Sequence, residues 1–163
     1  VIEKVIKKTS KNIRVFIVGD GEEKVNIQEL IHTKKLSYSS NSTPALFQFT
    51  SWVRNVDEVN AGMDIICLTS KNEGTPVSLI EAQASGNPIV STNVGGIKDI
   101  VLKDESALIC DNSDGNQFKL LLLKCVNDKS LRNYLSSNGY DFVINRYTKE
   151  KLKKYYNYNR KKR

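Results

Sequence analysis

Residues 73–96 read EGTPVSLIEAQASGNPIVSTNVGG, and the punctuation of this stretch decides the fold. Pro76 suits the first turn of a helix, where its missing N–H would be unpaired anyway. Thr75 before it has the side chain of an N-cap. Gly86 followed by Pro88 is a stop signal. The spacing predicts a helix over 76–85, a buried strand over 88–92, and a loop at Asn93, Val94, Gly95 and Gly96 that leads into another helix. Strand, loop and helix in alternation are the unit of a parallel α/β sheet.

The rest of the chain repeats that alternation. Short apolar runs predict strands over 13–18, 45–50, 64–69, 88–92 and 107–110. Helices are expected over 23–35, 56–61, 76–85, 97–101, 116–127, 130–145 and 149–156, the last with Thr148 as its N-cap. Residues 1–9 read as the end of a helix, and the polar run SYSSNST over 37–43 as a surface loop. The expected fold is α/β, a Rossmann-like open parallel sheet with helices on both faces. Such a domain normally starts on a strand, so the reading is of a fragment that lacks its first strand. Residues 1–147 are expected to form the domain, and 148–163 a basic helix and tail.

A chain of 163 residues can bury a core without disulfides. Cys67, Cys110 and Cys125 form no CxxC or zinc pattern, so they read as reduced core thiols of a cytoplasmic protein. No apolar stretch approaches the roughly 20 residues of a bilayer span. Eight of the 25 basic residues and one of the 18 acidic ones lie between Lys149 and Arg163, which leaves 17 of each sign in the remainder. The whole net charge of +7 therefore sits in the tail. A neutral body argues against nucleic acid as a partner. The tail is expected to dock on another domain or on an anionic membrane, which would make the protein peripheral at the inner membrane face.

Site candidates fall where strands end and helices begin, the ligand edge of an open parallel sheet. Glu73 stands in one such loop, and Glu81 lies about two turns further on, between Ile80 and Ala82. A carboxylate near an apolar helix face needs a partner. The helix start between the two acids offers free N–H groups and a positive dipole end, which suit a phosphate. Carboxylates able to accept sugar hydroxyls beside such a helix start point to a nucleotide-sugar site. Other loops carry Gly19, Asp20 and Gly21, or Trp52, Val53 and Arg54. His32 is the sole histidine, so neither HExxH zinc chemistry nor a Ser-His-Asp triad is supported. There is no GxxxxGK[ST] and no complete GxGxxG.

Taken in order, VGDG from Val18, WVRNVDEV from Trp52, NEGTPVSLIEAQASGNPIVSTNVGGIKDIV from Asn72 and RYTKEKLKKYY from Arg146 resemble the C-terminal half of a family 4, GT-B-fold retaining glycosyltransferase. The resemblance implies a hexosyltransferase-type enzyme of polysaccharide biosynthesis that binds an NDP-sugar donor and needs no cofactor and no metal. Glu73 would contact the donor sugar as the catalytic residue, and Glu81 would accept the ribose hydroxyls. The turn of Gly74, Thr75, Pro76 and Val77 would hold the diphosphate. Trp52, Val53 and Arg54 would lie near the base, and Gly19 and Gly21 would border the cleft. The cationic diphosphate clamp and the N-terminal acceptor domain of such enzymes have no counterpart in these residues. Ser51 stands where a glycine is usual, and Asp99 where glutamate is frequent. On this reading the 163 residues alone would be inactive or nearly so. The alternative is a non-catalytic α/β module that binds a nucleotide-sugar or a protein.

Overall fold

The computed structural model describes residues 1–39, 46–111 and 114–147. Within them the chain divides into two compact units, one built from Val1–Thr9 and the described residues from Asp57 onward, the other from Ser10–Val56. The expected tail helix and its Thr148 cap lie outside the described residues, as does most of the 37–43 run.

In the larger unit, β4 (Ile66–Leu68), β5 (Ile89–Asn93) and β6 (Ala107–Asp111) form a parallel sheet with β5 in the centre. Ile66 pairs with Ile89, and Ile89 with Ala107. Side chains alternate between faces along a strand. Ile89, Ala107 and Ile109 enter the core with Leu79 and Ala82 of α4 (Val77–Ala84) and with Ile97 and Ile100 of α5 (Ile97–Ile100). Val90, Leu108 and Cys110 take the opposite phase, towards α6 (Gly115–Asn127), which buries Phe118, Leu122 and Cys125. Helices thus cover both faces, as expected. The central position of β5 explains its burial from Ile89 to Thr92.

Two helix starts owe their position to aspartates. Asp114 accepts the N–H groups of Asn116 and Gln117 at the start of α6. Asp128 accepts that of Leu131 and starts α7 (Lys129–Arg146). A short α1 (Ile2–Ile6) buries Val5 and packs beside α6. Cys67 departs from its expected place in the core: it lies at the middle of the edge strand β4 and is exposed, whereas Cys110 and Cys125 are buried.

In the smaller unit β1 (Val15–Ile17), β3 (Phe47–Phe49) and β2 (Tyr38–Ser39) form a second parallel sheet with β3 in the centre. Phe47 and Phe49 are buried, as is Ile31 of α2 (Lys24–Thr33). The loop expected over 37–43 is corrected at its start: Tyr38 and Ser39 pair with Phe47 and Gln48 as a strand. The run SYSS has no apolar alternation, and its pairing comes from the neighbouring strand. Each unit carries its own three-stranded parallel ladder. α3 (Val56–Ala61) follows β3 in the chain, and Asn87 donates to the carbonyls of Asn60 and Met63 just ahead of β4.

Candidate functional site

The loop from β4 to α4 carries the first group of candidates, and β5 shapes it. Ser91 and Thr92 are buried. The Ser91 hydroxyl donates to the Leu68 carbonyl at 3.1 Å, and the Thr92 hydroxyl to that of Ser70 at 3.0 Å. These bonds fix the path by which the chain leaves the sheet. Four residues past Thr92, the Gly96 N–H donates to the Gly74 carbonyl at 3.0 Å and to that of Glu73 at 3.4 Å. Glu73 is thereby held half-buried at the C-terminal end of the sheet.

Gly74 and Thr75 follow, both exposed. Thr75 is not the N-cap. Pro76 takes that role, with the extended backbone of a cap (φ −72°, ψ 99°), and no side chain caps this end of α4. The φ of Pro76 suits a helix but its ψ does not, so the cap falls one residue later than expected and the helix opens at Val77. The helix start therefore keeps the electrostatic character of an anion site, with its positive dipole end facing out.

Glu81 is also corrected. It is exposed, on the α4 face that also carries the exposed Val77 and Ser78, while Leu79, Ala82 and Gln83 form the buried face. Val77 and Glu81 are four residues apart and so lie one above the other. The carboxylate therefore faces solvent on the side where the helix begins, and does not need a protein partner inside the core.

The second group lies in the smaller unit. Gly19 has φ 111°, a value that favours glycine, in the loop that leaves β1. The Asp20 carboxylate accepts a bond from Lys24 at 2.8 Å. That bond and the Lys24 charge, together with a weaker bond from the Ser51 hydroxyl, hold Asp20 below the usual carboxylate range. Lys24 acts from just past the Gly19–Gly21 loop, and Ser51, noted in the sequence only as a replacement for glycine, acts from the loop after β3. The latter presents Trp52, 79% exposed, with Val53 half-buried and Arg54 exposed.

The family model for glycosyl transferases group 1 matches residues 1–142. The chain belongs to this family. It is 25% identical over 140 residues to the lipopolysaccharide core biosynthesis glycosyltransferase LpsE of Rhizobium meliloti, covering 86% of this chain and 39% of that protein. Staphylococcus aureus TarM, solved in complex with alpha-GlcNAc-glycerol and UDP among other ligands, superposes with a TM-score of 0.80 at 24% identity, over 95% of this chain and 30% of that one. HepE of Anabaena, solved with UDP-glucose, superposes with a TM-score of 0.75 at 16% identity, over 88% of this chain and 39% of that one. The fold is therefore the α/β, Rossmann-like one of GT-B glycosyltransferases. The chain spans about two fifths or less of the length of these proteins. Among the described residues no helix is long and apolar enough to cross a membrane.

Proposed function

We propose that this chain is the donor-binding part of a glycosyltransferase that transfers a hexose, with retention, from a UDP-sugar to an acceptor of a cell-envelope polysaccharide or glycolipid. One observation carries the reading. The Glu73 loop runs directly into a helix start that no side chain caps, and Glu81 stands exposed one turn along the same helix face as Val77.

Each part has a chemical task in this reading. The N-terminal N–H groups and dipole of α4 receive the diphosphate and stabilise the charge that grows on it as the sugar departs. The Glu81 carboxylate accepts the vicinal ribose hydroxyls, an arrangement that rewards an ionised acceptor. Glu73 lies at the sugar end, where its carboxylate accepts sugar hydroxyls and faces the positive charge that develops at the anomeric carbon. UDP is the nucleotide of choice because the solved relatives of this fold include complexes with UDP and UDP-glucose.

The test is a thermal-shift panel of UDP, GDP, ADP, UDP-glucose and GDP-mannose against this chain. A ligand that binds only the folded state raises the melting temperature by mass action. UDP and UDP-glucose are expected to raise it and the other nucleotides to leave it unchanged. A flat response to the whole panel would contradict the donor-site reading, and a response to GDP or ADP alone would contradict the choice of base.

A further inference from the structure

We infer that Gly95 and Gly96 are positioning residues for the donor site: the missing side chains of this pair and the Gly96 N–H set where the Glu73–Gly74 backbone runs. The inference rests on the reading of Glu73 and the following turn as donor contacts. A Cβ built on Gly96 would stand 2.2 Å from the Gly74 carbonyl oxygen. One on Gly95 would stand closer still to the Glu73 carbonyl oxygen and 2.8 Å from its carbon. Both obstacles are backbone atoms, which cannot rotate away as a flexible side chain would.

The two glycines differ in kind. Gly95 has φ 52°, so its conformation disfavours a side chain in any case. Gly96 has φ −80° and ψ 7°, which other residues adopt, so its requirement for glycine comes from the approach of the Gly74 carbonyl alone. The pair also attracts what it crowds, because the Gly96 N–H donates to both Glu73 and Gly74 carbonyls. Ser91, Thr92 and Gly96 thus hold the β4 exit at three successive points, residues 68, 70 and 73–74. A methyl group at Gly96 pushes only the last of these points, the one that carries Glu73 and the phosphate turn. Glu81 sits further along α4, where Leu79 and Ala82 also anchor the helix in the core with Ile89, Ala107 and Ile109 of the sheet.

Gly96→Ala is therefore expected to separate parts of the ligand. By calorimetry UDP-glucose should bind about tenfold or more weakly, the loss of roughly one good contact, while uridine, which has no phosphate, stays within about twofold. Gly62→Ala, where a Cβ would meet only ordinary contacts at 3.5 Å or beyond, should leave both unchanged. Equal losses for uridine and UDP-glucose, or no loss for either, would overturn the positioning role. Absence of UDP-glucose binding in the unaltered chain would instead sink the donor-site reading before any variant is made. If Gly96→Ala does not fold, the unaltered chain decides by NMR. UDP-glucose should shift the Gly96 amide, whose hydrogen bond reports on Gly74, more than uridine does, and leave that of Gly62 in place. A stationary Gly96 amide while those of Gly74 and Val77 move would overturn the inference.

Discussion

Gln83 donates from Nε2 to the carbonyl of Ile100 at 2.8 Å, joining the middle of α4 to the end of α5 inside the core. The side chain is fully buried, and Gly139 of α7 lies against it: a Cβ on Gly139 would come within 3.1 Å of the Gln83 Cγ. The Gln83 side chain is thus one point at which α4 meets both α5 and α7 (Lys129–Arg146).

Gln83→Leu is expected to lower stability by about 1–3 kcal/mol, because the Ile100 carbonyl is left buried without its donor. Gly139→Ala should cost about 1–3 kcal/mol from overpacking, offset in part by about 0.5–1 kcal/mol of helix propensity. Combined with Gln83→Ala, the glycine substitution should cost clearly less than alone, since the atoms it strikes are gone. Urea titrations of the single and double variants read the coupling directly. Strict additivity would show that the two helices do not communicate at this point.

Glu81→Gln changes an exposed side chain, so its stability effect should stay within about 0.5 kcal/mol. Affinity for UDP-glucose is expected to fall by about 1.5–3 kcal/mol, the cost of losing a charge-assisted acceptor. Unchanged affinity in calorimetry would remove Glu81 from the site.

The Cys125 thiol, buried against the sheet, has its pKa pushed up to about 11 by desolvation, with the nearby Arg132 acting in the opposite sense and Asp128 in the same. The unfolded thiol titrates near 9.0. Above that value the unfolded chain sheds a proton that the folded chain keeps, so stability falls as the pH rises from 9 towards 11. Cys125→Ala is expected to flatten this decline relative to the parent, measured as urea midpoints at pH 8, 9.5 and 10.5. Parallel declines in the two proteins would show that the thiol is not the group responsible.

Much of the fold is legible where local chemistry and tertiary context agree. Pro76, Gly86 and Pro88 bound α4 and the start of β5 within a residue or two, and the apolar run ahead of Asn93 makes a central strand. Asp114 and Asp128 set helix starts by capping. β2 was not legible, because a strand of Tyr38 and Ser39 owes its existence to Phe47 and Gln48 across the ladder. The site shows the same division. The buried polar group on the apolar face of α4 is Gln83, two positions beyond Glu81, and its Nε2 finds a carbonyl partner. A run as apolar as SLIEAQA does not fix the rotation of its helix, and Ile80 is only half-buried. The close approach of Gly95 and Gly96 was equally invisible: the sequence shows a turn, and only the fold brings it against residues twenty-two positions earlier.

The hydroxyls of Ser91 and Thr92 have a consequence for how this site can diversify. They and the Gly96 amide dictate the course of the β4 exit through main-chain carbonyls alone. The exposed side chains of Asn72 and Thr75 are consequently decoration on a track laid by another strand. Exchanging either one alters what the surface presents and leaves the main-chain course, with the Glu73 carbonyl on it, in place.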